Sequence, residues 1–177
     1  MDLIGPITES LYNNKYILSI LDDHSRYGWI LFIKNKSDTF ETFYNWFSKI
    51  KNIFNTRIKF IRSNNGKEFK NAKFYDFCKM NGIQQQFTIP YNPQQNGRIE
   101  RFNGTIISTA KVLLKDTKLS RQFWEDAVAT ANYIHNRIPH HGIKNKISFD
   151  YSNLRYYFMF LRLLDPNLIA THLLVYF

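Results

Sequence analysis

Three apolar runs of strand length, at residues 3–7, 15–23 and 27–33, precede the first segment with helical period. Turn formers between Asp22 and Arg26 separate the second run from the third, so the two read as a hairpin. Ser37 is then placed to cap a helix in which Phe40, Phe43, Tyr44, Phe47, Ile50 and Phe54 recur at helical spacing. A strand follows at 57–63, then a short helix carrying Phe74, Phe77 and Cys78 and stopped by Asn81-Gly82. A strand at 85–89 leads into a loop rich in Pro, Asn and Gly at 90–97. A long helix over 98–116 comes next. Ser120 caps a last helix with Phe123, Trp124, Ala127, Val128, Ala131 and Ile134 on its apolar side. A meander followed by alternating helix and strand demands an α/β fold, a mixed sheet with helices packed on its faces. Right-handed crossovers make the 57–63 strand parallel to a neighbour, the first strand being the candidate. Ligands in such sheets gather at strand carboxyl ends near the switch in strand order, and Asp2 and Asn64 are the polar residues that meet there.

The chain of 177 residues fits one domain with a real core. Its 24 Lys and Arg against 14 Asp and Glu give a net charge of +10. Such a balance favours a polyanionic partner, nucleic acid foremost, although a ribosome or membrane surface has the same sign. Cys78 is the only cysteine, which removes a disulfide framework and a Cys-based zinc cluster and points to a reducing intracellular compartment. The first residues have neither a basic n-region nor a long apolar h-region, so no secretory signal is expected. The run at 156–161 is far short of the roughly 20 residues a bilayer span needs, so no membrane partner is expected. After Pro139 the pattern decays. Residues 140–177 are either a final core helix and strand or sequence without a fold of its own, and composition does not decide between them.

The stretch "IRSNNGKEF" at 61–69 raises the sharpest question. By itself Asn64-Asn65-Gly66 is an ordinary turn. Together with "DLIGPI", "YILSILDDHSRYGWILFIKNKSDTF", "IPYNPQQNGRIERFN" and "FWEDAVATANYIHNRIP", however, it resembles the catalytic core of a retrotransposon integrase of the copia type. The likeness runs in order from Asp2 to about Pro139. It implies a ribonuclease-H-like fold with a five-stranded mixed sheet over 1–139, which holds two divalent cations, Mg²⁺ or Mn²⁺, through three carboxylates. The family's first aspartate, before a Gly-Pro pair, falls on Asp2. Its glutamate, three residues beyond the Asn-Gly of the Pro-Gln-Gln loop, falls on Glu100. The second aspartate falls on position 64, where this chain has Asn64. Thirty-five residues intervene between Asn64 and Glu100, the spacing the family is known for.

Two dications about 3.5–4 Å apart repel strongly, and anionic ligands must offset that while the pair clamps the attacking and leaving oxygens. Asn keeps the shape of Asp and loses its charge. The resemblance therefore implies a metal-dependent polynucleotidyl transferase whose copy here has weakened metal binding and impaired catalysis, with Asp2 and Glu100 the remaining metal ligands. Met1 directly before Asp2, the lack of an upstream His-His-Cys-Cys domain and the decayed tail suggest a truncated, decayed transposon copy. If functional, such a protein works in the nucleus.

DNA is the expected partner, and a homo-oligomer is possible within the family. Arg98 and Arg101 flank Glu100 and would neutralise DNA phosphates, while Gln94, Gln95 and Asn96 sit on a loop of the kind that orders over substrate. Lys111 and Lys115 continue along the same helix, where a solvated face explains them nearly as well. Glu100 alone would pass as a first-turn residue complementing the helix dipole. Glu68 is a tempting substitute ligand, but the family pattern already has Glu beside its aspartate. Asp22 and Asp23 read as a solvated turn, and His135, His140 and His141 as exposed loop histidines. Two other functions fit the same residues: a catalytically dead DNA-binding or dimerisation module, and an active nuclease of this fold that tolerates Asn64. The integrase-type loop argues against the latter.

Overall fold

The computed structural model describes residues 1–54, 57–88, 93–144 and 146–151. The segment "YYFMFLRLLDPNLIATHLLVYF", left open above, lies outside them. The chain divides into two compact units, one of residues 1–20 and 30–104, the other of residues 21–29 and from 105 onward.

In the first unit, β1 (Asp2–Ile4) pairs antiparallel with β2 (Tyr16–Leu21), Asp2 standing opposite Ser19. β3 (Gly28–Ile33) lies on the other side of β2 and closes the three-stranded ladder β1-β2-β3. The expected hairpin is present: Lys15 N donates to Ile33 O at 3.0 Å at its open end, and its turn, residues of the second unit, has Asp22 N donating to Tyr27 O at 2.9 Å. β4 (Phe60–Ser63) pairs with β5 (Gln84–Phe87) in parallel, as a crossover through a helix requires. The pairing is therefore mixed, antiparallel on one side and parallel on the other. The five strands form ladders of three and two, and the expected β1–β4 ladder is replaced by a contact at their ends, Met1 N donating to Arg62 O at 2.6 Å.

Between β3 and β4 runs α1 (Thr39–Phe54), and between β4 and β5 runs α2 (Ala72–Asn81). Ser37 does not cap α1. A 3₁₀ turn at Lys36–Asp38 precedes the helix, and Asn35 N donates to the Asp38 carboxylate at 3.1 Å. Asn71 caps α2 by accepting from Phe74 N, and Gly82 ends it in the left-handed conformation at φ 64°, as the Asn-Gly signal demands. The two helices interlock through aromatic rings. Phe77 meets Phe43 and Phe47 edge-on, with centroids 5.6 and 4.8 Å away. Phe43, Phe69 and Phe74 are fully buried, and Trp46 joins them in the core.

The long helix α3 spans Pro93–Thr117 and begins five residues earlier than its composition suggests. Pro93 takes its first position, where the missing N–H costs nothing and the fixed φ suits a helix. Gln94, Gln95 and Asn96 thus have helical backbone instead of forming a loop.

In the second unit Ser120 caps a 3₁₀ turn that leads into α4 (Trp124–His135), which buries Trp124, Ala127, Val128 and Ala131. Asn136, fully buried, accepts from Gly28 N and donates to Gly28 O, both at 2.9 Å. The stretch after Pro139 has structure as far as residue 151. β6 (Pro139–His140) pairs with β7 (Lys146–Ile147), and α5 (Ser148–Tyr151) follows. Arg137 stacks its guanidinium over the Tyr133 ring, 3.5 Å from the centroid, and over Phe149 at 4.5 Å. No helix among the described residues is long and apolar enough to cross a membrane.

Candidate active site

Asp2 opens β1 and Asn64 follows the last residue of β4, and the Met1 N–Arg62 O bond holds these two strand ends together. Asp2 Oδ1 accepts from Asn64 Nδ2 at 3.0 Å and from Leu3 N at 2.9 Å. Its second oxygen accepts from Asn103 Nδ2 at 3.0 Å. Ser19, fully buried opposite on β2, donates its hydroxyl to the Asp2 carbonyl at 3.2 Å. Asn64 Oδ1 in turn accepts from Gly66 N at 2.9 Å. A backbone N–H can only donate, so that bond orients the amide with its nitrogen toward Asp2.

Glu100 stands one turn before Asn103 on α3, on the same helix face. It is exposed, yet close enough to act on Asp2, whose carboxyl is raised above its ordinary pKa. Burial is the main cause of that rise and the Glu100 charge adds to it, while the bonds from Leu3 and Asn103 and the terminal ammonium oppose it. Asp2, Asn64 and Glu100 are therefore neighbours, as their positions in the motifs predict. Asn103 is the participant that motif reasoning missed.

Glu68 has a partner of its own. Its carboxylate, 6% exposed, pairs with Lys36 Nζ at 3.2 Å and lies over Gly66, where a Cβ would meet it at 2.4–2.6 Å. Arg98 and Arg101 are exposed on the first turns of α3, and the Arg101 guanidinium reaches within 3.6 Å of the point where a Gly97 Cβ would stand. Gln94, Gln95 and Asn96 belong to the same helical turn region. Asp22 and Asp23 act as turn residues: Asp22 Oδ2 accepts from Ser25 N at 2.7 Å and Asp23 pairs with Arg26 at 3.2 Å.

His135 and His140 depart from the expected exposed loop, while His141 is exposed. His135 closes α4 and is half-buried, its ring centroid 4.3 Å from that of His140, and His140 Nε2 lies 3.0 Å from His135 O. Burial first and the neighbouring His140 second lower the His135 pKa to about 4. Packing against the helix end, which spacing does not reveal, is the reason.

The donor set does not fit a pair of dications. Asp2 and Glu100 supply two carboxylates, and the third position presents an amide N–H to Asp2 where the pair would need an oxygen. Among the described residues no group of three or more His, Cys, Asp or Glu is arranged to hold a metal ion. The amide hydrogens of Asn64 and Asn103 satisfy the Asp2 carboxylate without a cation.

Solved structures share this arrangement of elements. The HTLV-2 integrase catalytic core domain in complex with magnesium superposes with a TM-score of 0.59 at 19% identity, covering 84% of this chain and 93% of that one. A chain of the simian T-cell lymphotropic virus intasome in complex with PP2A regulatory subunit B56 gamma gives a TM-score of 0.63 at 20% identity, over 84% of this chain and 52% of that one. The fold is thus the ribonuclease-H-like α/β fold of retroviral integrase cores. The profile of the family described as Integrase core domain matches residues 1–93, and the chain belongs to that family. Among curated relatives, the Retrovirus-related Pol polyprotein from transposon TNT 1-94 of Nicotiana tabacum is 37% identical over 139 residues. The polyprotein from transposon RE1 of Arabidopsis thaliana is 33% identical over 127 residues. The alignments take in 78% and 72% of this chain but only 10% and 8% of those polyproteins, so it corresponds to the integrase-core segment of a retrotransposon Pol polyprotein.

Proposed function

We propose that the chain is a DNA-binding integrase core whose own strand-transfer chemistry is impaired. The observation that carries this reading is the orientation of Asn64, which gives a hydrogen bond to Asp2 where the family's chemistry calls for a second metal-binding carboxylate. Transferring a phosphodiester to a 3′-hydroxyl builds negative charge on the phosphate, and electrostatic stabilisation of that charge is usually the largest part of the rate. With one anionic ligand replaced by an amide, Asp2 and Glu100 are left to bind Mg²⁺ or Mn²⁺ weakly. DNA recruitment does not depend on that loss. A net charge of +10, with Arg98 and Arg101 beside Glu100 and Gln94, Gln95 and Asn96 just ahead, suits a phosphate backbone contacted without regard to sequence. On this reading the protein works in the nucleus, where its DNA lies.

The test pairs two assays on the same preparation. Wild type should retard a duplex with an affinity that falls steeply between low and moderate salt. It should give no strand transfer or 3′-end processing with Mg²⁺ or Mn²⁺. Turnover by wild type would remove the impairment, and a flat salt response would remove the assigned DNA surface.

A further inference from the structure

We propose that the outward face of the β4–β5 ladder is a platform for an unpaired strand of DNA, a role that rests on the DNA-binding reading and adds a second surface to it. Strand β4 alternates exposed and buried residues, so Ile61 and Ser63 point into the unit while Phe60 and Arg62 point out. Their register partners on β5 are Gln84 and Gln86. Phe60, in the first pair of the ladder, is 57% exposed on this face. Arg62 lies across the strand pair, with Nη2 and Nε at 3.1 and 3.4 Å from the one Gln86 Oε1. That contact with a neutral amide fixes the guanidinium plane.

A lone exposed phenylalanine means little. The cations near this one in the sequence give it meaning. Residues 57–75 carry six cations, Arg57, Lys59, Arg62, Lys67, Lys70 and Lys73, against the single acid Glu68, which is half of the net charge of the chain. Strand β5 carries no acid. An aromatic ring among cations and neutral amides suits a strand whose bases are unpaired, because each base offers a π-face to the ring and an edge to Gln84 or Gln86. Duplex DNA keeps its base faces stacked inside and would use only the cations. A peptide partner of matching acidity would leave the amides and the ring without a specific role.

The test measures binding of wild type, Phe60→Ala, Phe60→Trp and Arg62→Gln to a fluorescent oligo(dT), to oligo(rU) and to a duplex of equal length. Thermal unfolding is recorded for each variant. Phe60→Ala should weaken oligo(dT) binding by about tenfold, the loss expected for one stacked base, with duplex affinity unchanged. Phe60→Trp should restore it. Arg62→Gln should weaken oligo(dT) binding and lower its salt slope by about one. Four results would overturn the platform: no effect of Phe60→Ala, equal weakening of oligo(dT) and duplex, failure of Phe60→Trp to recover, or tighter binding of oligo(rU) than of oligo(dT). Wild type that binds neither DNA form would instead refute the DNA-binding reading as a whole, which keeps the two failures apart.

Discussion

Asn64→Asp exchanges a hydrogen-bond donor for a second carboxylate 3.0 Å from Asp2 Oδ1. The charge-assisted bond lost there is worth about 1.5–3 kcal/mol. Two ionised carboxylates about 4 Å apart repel by roughly 4 kcal/mol at the effective dielectric of a protein surface, and sharing a proton relieves part of that. A net loss of about 3–5 kcal/mol is expected in metal-free buffer, against a total stability on the order of 5–15 kcal/mol. For a chain of this size that corresponds to a fall of roughly 6–20 °C in Tm. Mn²⁺ should reverse much of the fall, because a cation bound to the folded state alone stabilises it by mass action and its charge offsets the repulsion. Wild type should be almost indifferent to Mn²⁺. Thermal unfolding of both proteins in chelator and in millimolar Mn²⁺ checks this. A variant as stable as wild type without metal, or one that Mn²⁺ leaves unchanged, would refute the claim that the Asn64 amide replaces cationic support of Asp2.

Gly66→Ala should cost about 1–2 kcal/mol in urea denaturation, because the added Cβ meets a Glu68 carboxylate held by burial and by Lys36. In combination with Glu68→Ala most of that cost should vanish, and additive losses would show that the contact is not its source. Asn136→Ala should destabilise by about 2–4 kcal/mol, since it strands both polar groups of Gly28 in a buried place, and a loss below 0.5 kcal/mol would contradict that bridge. His135, with its pKa lowered to about 4, favours the fold above its unfolded value and withdraws that support as pH falls from about 6.5 toward 4. His135→Gln should flatten this part of the stability curve, and an unchanged slope would assign the acid loss to other groups.

The strands and the α2 stop were legible because each rests on a local signal, period-two alternation or an Asn-Gly end. That Asp2, Asn64 and Glu100 lie close together was legible through motif spacing. The early start of α3 was not, since Pro93-Gln94-Gln95-Asn96-Gly97 has the composition of a turn and only the position of Pro93 hints at a helix. Asn103 carried a usable sign: three residues past Glu100 on one helix puts both on one face. Asn136 carried none. Its partner Gly28 is 108 residues away, and nothing local separates it from a surface residue at a helix end. The Lys36–Glu68 pair and the burial of His135 are likewise products of tertiary packing.

The claim that Asn64 leaves this centre without the ligands for two cations is tested most directly by calorimetric Mn²⁺ titration. Wild type, Asn64→Asp, and Asn64→Asp combined with Glu100→Gln are titrated under one condition. Wild type should bind Mn²⁺ weakly or not at all, Asn64→Asp should bind at least tenfold more tightly, and Glu100→Gln should remove that gain. Equal Mn²⁺ binding by wild type and Asn64→Asp, or two tight sites in wild type, would contradict it.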